Sequence, residues 1–151
     1  MITTESVIPT PSTSNISVGD TYANCTLYVC LSCRSLDTPR EPKKNRQGYI
    51  LYKKLREVIT QSTLNNKIDI KPAKCLSICP RPCGIAITAP NSWTYLFGDQ
   101  NPNLTIKEIM ECVSLYMKTP NGFMTREKRP KSLRSSILGR VPPLKGENSC
   151  I

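Results

Sequence analysis

Histidine is absent from this 151-residue chain. That absence excludes Rieske-type ligation, every zinc site that uses imidazole, and any Ser–His or Cys–His catalytic pair. Long apolar runs are missing too, so no segment reads as a membrane span. Aromatics are only 6% of the chain. The C-terminal part has a single aromatic, Phe123, and so no stacking platform for single-stranded nucleic acid. Acids are few: 11 Asp and Glu stand against 21 Lys and Arg, a net charge of +10. No phosphate-binding loop, nucleophile elbow or acid pair is visible, and the chain is therefore not expected to be an enzyme.

What is plentiful is cysteine, with eight residues. Met1 to Gly19 shows neither a basic n-region nor an apolar h-region, so the chain is read without an export signal and a cytoplasmic location is expected. In a reducing compartment, cysteines at this density point to metal binding or redox chemistry rather than to disulfides. Five of them form two groups. Cys30 and Cys33 make a C-x2-C, and Cys75, Cys79 and Cys83 recur at four-residue steps. Pro80 and Pro82 lie inside the second group and oppose a regular helix there. It reads as a tight loop that turns several thiols toward one point, which is what a soft metal centre requires. Four thiolates suit a [2Fe–2S] cluster and a tetrahedral zinc ion alike. Cys25 and Cys112 read as structural thiols.

The remaining pattern sets these groups in a fold. Residues 1–21, rich in Ser, Thr and Pro, are expected to be a disordered tail. Thr26 to Cys30 has the β-branched and aromatic content of a short strand. Gly48 to Gln61 has helical periodicity, with Leu51, Leu55, Val58 and Ile59 on one face. Ile68 to Lys71 alternates as a strand, and two further strands, Ile85–Thr88 and Trp93–Phe97, flank a turn at Pro90-Asn91-Ser92. A second helix is expected from Thr105 to Met117. Thr105 and Glu108 match a capping box, and Ile106, Ile109, Met110, Val113 and Met117 form the apolar stripe. The predicted order is βαβ, the cysteine loop, then ββα. This is an α/β, thioredoxin-like layout with a small mixed sheet of about four strands flanked by two main helices. The metal-binding domain is placed at 22–118, with a basic extension at 119–151.

That extension carries most of the charge. From Lys118 to Lys145 there are eight Lys or Arg and one acid, Glu127, hence seven of the ten net positive charges. Arg126, Lys128, Arg129, Lys131, Arg134 and Arg140 form a candidate docking strip for an acidic redox partner protein. Nucleic acid and membrane are not expected as partners, and the pattern does not determine the oligomeric state. Leu133, Ile137, Leu138 and Val141 suggest that part of the extension packs back on the domain.

Cys75-Leu76-Ser77-Ile78-Cys79, between two strands, resembles the C-L-x-x-C loop of thioredoxin-like [2Fe–2S] ferredoxins. A broader set of motifs resembles a bacterial family of predicted metal-binding proteins. They are Cys30-Leu31-Ser32-Cys33-Arg34, the Cys75–Cys83 loop with Arg81-Pro82-Cys83, Trp93-Thr94-Tyr95-Leu96-Phe97-Gly98-Asp99, Arg129-Pro130, and Arg140-Val141-Pro142-Pro143. The ferredoxin resemblance implies Cys30, Cys33, Cys75 and Cys79 as ligands of a [2Fe–2S] cluster. Two departures stand out. The first pair in that family is usually spaced more widely than C-x2-C, and Cys83 is an additional thiol that can take one of the four places. The function implied is an electron carrier or redox sensor. The alternative is a zinc-stabilised interaction module with a site of four cysteines. A thiol–disulfide exchange reaction at Cys30 and Cys33 ranks third, because the expected helix begins only at Gly48 and so leaves the pair without a nearby helix N-terminus to lower a thiol pKa.

Overall fold

A computed structural model describes residues 24–35, 37 and 39–144. The expected disordered tail at 1–21 and the end of the extension, with Cys150, lie outside the described residues. Strand β1 (Cys25–Cys30) is an inner strand, next to the β2 edge, of a five-stranded sheet of order β2-β1-β3-β4-β5. Its neighbours are β2 (Ile68–Ala73), which is parallel, and β3 (Ile85–Thr88), which is antiparallel. β4 (Thr94–Phe97) and β5 (Ile137–Val141) continue the sheet antiparallel. Helix α1 (Gln47–Gln61) is the crossover between the parallel strands, and α2 (Ile106–Lys118) follows the β3–β4 hairpin. A βαβ unit joined to a ββα unit around one mixed sheet is the thioredoxin-like arrangement.

The core follows from the periodicities. Leu27 and Val29 of β1, Leu51, Leu55 and Ile59 of α1, Ile85 and Ile87 of β3, and Ile109 and Val113 of α2 all belong to one buried cluster. Each such side chain withdrawn from water contributes roughly 1.5–3 kcal/mol. Tyr95 stacks on Phe97 along β4 and meets Tyr116 of α2 edge to face, with ring centroids 6.2 Å apart. Pro72 is tolerated because β2 is an edge strand, where a missing N–H leaves no partner in the sheet unpaired.

Three expectations change. The sheet has five strands rather than about four, because the basic extension supplies β5. Its preceding segment forms a short helix, α3 (Lys131–Ser135), which packs on α2. Met124 and Leu133 thus join the same core, and Ile137–Val141 the same sheet. Val58 turns outward at 37% exposure, whereas Gly48 takes a buried place on α1. The capping box does not form. The Thr105 hydroxyl engages Asn101, donating to its carbonyl and accepting from its N–H, and the Glu108 carboxylate accepts from Ser132 N–H and Oγ at the start of α3. Tertiary partners outcompeted the local ones.

Candidate metal centre

Cys30 ends β1, and Cys33 follows in the loop that leaves the sheet. Two backbone bonds fix this exit: Cys30 N–H donates to Gly84 O at 3.0 Å and Leu31 N–H to Ala73 O at 2.9 Å. The N-terminus of α1 returns against the same point. Gly48 N–H donates to Cys33 O at 3.0 Å. A Cβ on Gly48 would lie 2.0 Å from Cys30 O and 3.2 Å from Cys33 Cβ, so only glycine permits this approach. The expected absence of a nearby helix N-terminus is thereby corrected. The start of α1 lies back beside the C-x2-C despite the intervening residues. Its Gly48 N–H bonds the Cys33 carbonyl, not a thiol.

The second cysteine group begins after β2 and ends at β3. Arg81 holds this loop. Its guanidinium pairs with Asp99 and donates to Ser135 O at 3.1 Å, while its carbonyl accepts from Asp99 N–H at 3.1 Å. Cys83 is tied by a reciprocal pair of backbone bonds to Gln100, at 3.2 and 3.0 Å. Ile78 covers Gly84, where a Cβ would lie 1.6 Å from its Cδ1. These contacts bind Arg81, Asp99 and the Cys83-Gly84 pair into one unit.

The result is a trio of buried thiols. Cys30, Cys33 and Cys83 are each no more than 2% exposed, and the thiols of Cys30 and Cys83 both shift the protonation of Cys33 between them. Backbone N–H groups point at the sulfurs: Gly84 at Cys33, 3.4 Å away, and Leu76 and Ser32 at Cys30. Cys75 and Cys79 are exposed on the loop. The Cys75 sulfur accepts from Ser77 N–H at 3.3 Å. Cys75 is the chain neighbour of Leu76, whose N–H lowers the Cys30 pKa.

Protonation follows burial. The Cys33 thiol beside it, then burial, push Cys30 well above the ordinary thiol range. Cys33 is pulled down by Cys30, but the Cys83 thiol and burial outweigh this and raise it to about 11. Cys25 and Cys112 are raised to about 12 by burial. Cys112 contacts the Met124 sulfur inside the core, away from the trio.

Among the described residues, no group of three or more Cys, Asp or Glu side chains closes into a metal shell. The donor chemistry nevertheless fits a thiolate-bound centre, since soft sulfurs converge with backbone N–H donors aimed at them. A cleft of about 190 Å³, lined in part by Pro82, Cys83, Asp99 and Gln100, opens beside the trio. A larger concavity, about 840 Å³, follows the outer face of α1 and includes no cysteine. We attach the chemistry to the thiols, not to the larger space.

The expected docking strip separates into distinct roles. Arg134 donates to the carbonyls of Arg129 and Glu127, and Arg126 donates to Arg134 O, so both staple the 126–134 turn. Arg140 lies over the rings of Phe123 and Trp93, at 4.8 and 5.3 Å. Lys128 and Lys131 are exposed. Arg129 is buried at 5% exposure, which removes it from any open strip.

The fold and thiol set define a thioredoxin-like domain with cysteines gathered at one end of its sheet. Residues 27–143 match a family model, and the chain belongs to that family, described as Protein of unknown function (DUF1636). Comparison with curated proteins gives no match. Among solved structures, a thioredoxin-like [2Fe–2S] ferredoxin from Aquifex aeolicus is similar at 17% identity and a TM-score of 0.48, over 68% of this chain and 99% of that one. A second structure of the wild-type ferredoxin matches at 18% identity and a TM-score of 0.47, over 64% and 87%. No helix among the described residues is long and apolar enough to cross a membrane.

Proposed function

We propose that the chain holds an inorganic centre through cysteine thiolates, and that this centre is a [2Fe–2S] cluster serving electron transfer or redox sensing. The observation that carries the reading is the 3.4 Å bond from Gly84 N–H to the Cys33 sulfur, which sets the C-x2-C beside Cys83, far away in sequence. Cys30, Cys33 and Cys83 would supply three ligands. Cys75 or Cys79, exposed on the adjoining loop, would supply the fourth. The set Cys30, Cys33, Cys75 and Cys79 implied by the ferredoxin resemblance differs in one place, and single substitutions decide between the two. When bound, the cluster supplies one-electron oxidation and reduction. The chain supplies thiolates, N–H donors from Gly84, Leu76 and Ser32 that stabilise negative charge on sulfur, and walls that exclude water. The exposed Lys128 and Lys131 are suited to an acidic redox partner.

The test is metal and sulfide analysis with an ultraviolet–visible spectrum on protein purified without oxygen. Iron and acid-labile sulfide in equal amounts, with a brown colour, are expected. Zinc alone in a colourless protein would replace this reading with the second, a zinc module held by four cysteines. Burial of three donors favours that second reading over an exchange enzyme, since structural zinc sites are closed. Thiol–disulfide exchange has less support, because a reactive thiol needs a lowered pKa and both Cys30 and Cys33 are raised.

A further inference from the structure

A second polar site lies on the β4–β5 side of the domain. A cavity of about 420 Å³ is walled by Phe123, Ile137 and Leu138 and carries three arginines, Arg126, Arg129 and Arg140. No Asp or Glu is among the described residues that line it. Arg126 and Arg140 are exposed and form the rim. Arg129, at 5% exposure, forms the floor. Its Nε and Nη1 are buried and have no hydrogen-bond partner among the described residues. None of the ion pairs among those residues involves it either. Burying a guanidinium with two unmatched donors costs several kcal/mol, and the two neighbouring cations add repulsion.

The usual reason for keeping such a group is a ligand that completes it. A planar fork of donors matches the paired oxygens of a carboxylate or phosphate. The rings of Trp93 and Phe123 hold the Arg140 guanidinium in place at the rim, so part of the site is ordered in advance. The apolar wall formed by Phe123, Ile137 and Leu138 suits a compact organic body.

We propose that Arg126, Arg129 and Arg140 form a pocket for a small organic oxyanion, a carboxylate or a phosphate ester. This site is separate from the thiol trio and does not depend on the identity of the metal. The rim arginines attract and bind the anion, Arg129 adds positive charge beneath them, and Phe123, Ile137 and Leu138 cover the apolar part.

The test is isothermal titration of the full-length protein, with its metal retained, using phenyl phosphate, benzoate, inorganic phosphate and neutral benzyl alcohol at matched ionic strength. Saturable binding of phenyl phosphate or benzoate, at least about tenfold tighter than benzyl alcohol, is expected; which of the two prevails identifies the oxyanion. Arg129→Lys keeps the charge and loses the fork, and Arg126→Gln loses a rim charge. Each should weaken binding about tenfold, while Lys53→Gln on α1 leaves it unchanged. Metal content should be unaltered in Arg126→Gln and Arg140→Gln, and these rim variants decide the matter if Arg129→Lys does not fold. Failure of both anions to bind saturably, or full wild-type affinity in the arginine variants, would overturn the proposal.

Discussion

The thiol end of the domain and its arginine-lined edge both bury groups that prefer water, but they do so in opposite ways. At the thiol end, Cys30, Cys33 and Cys83 are buried in one cluster, and Gly84 N–H is aimed at the Cys33 sulfur. At the arginine edge, the Arg129 guanidinium is buried without an acceptor, beside two further cations. Thiols are neutral at ordinary pH and cost little to bury together. A guanidinium cannot shed its charge, so the other end stays uncompensated within the chain. The thiol end keeps its backbone groups paired, whereas the Arg129 Nε and Nη1 have no acceptor among the described residues.

The largest predicted effect tests the thiol end. Cys33→Ser should remove all bound metal, measured by elemental analysis, while Cys112→Ser should retain it in full, because that thiol packs against Met124 in the core. Comparing Cys79→Ser with Cys83→Ser then assigns the disputed ligand place: the variant that keeps its metal is not a ligand. Retention of metal by Cys33→Ser would break the contrast between the two ends at its root.

Gly48→Ala comes next. The new Cβ would press on Cys30 O at 2.0 Å and push α1 away from the cysteines. A cost of about 3 kcal/mol is expected from this overpacking, read by urea denaturation. A near-neutral result would mean that the approach of α1 to Cys30 and Cys33 is loose.

Arg129→Met sharpens the other side. Replacing an unmatched buried cation with an apolar chain of similar reach should be neutral or raise stability by about 1 kcal/mol. A loss of stability would show that Arg129 serves the fold rather than a ligand. The smallest effect concerns Glu108, whose carboxylate is held below its usual range by the Ser132 hydroxyl and N–H. A lowered folded pKa gives stability above the unfolded value of 4.5 that fades as the pH falls below it. Glu108→Gln should therefore cost about 0.5 kcal/mol at neutral pH and nothing in acid, checked by thermal melts at both.

Much of the frame was legible from local pattern. The alternation in β2, the spacing of Leu51, Leu55 and Ile59, and the turn before β4 each report a local preference that burial reinforces. Two things were not legible. Ile137 to Val141 contains Gly139 and Arg140 and reads as a basic tail, yet the open edge of β4 recruits it as a strand, a choice only an available edge can make. Arg129 and Arg140 look alike in sequence, but one is buried and the other caps two rings. The signal that could have separated them is Pro130, which places Arg129 at the entry to α3 rather than on a free tail.

By itself the sequence determined the element types from β1 to α2, the two cysteine groups and the exclusion of imidazole chemistry, because helical and strand periods and residue identity are local properties. The tertiary structure decided which thiols meet, that Gly48 brings the start of α1 back to Cys33, and that Arg129 is enclosed without a counter-charge. Those outcomes depend on distances between segments remote in the chain, which no local pattern encodes.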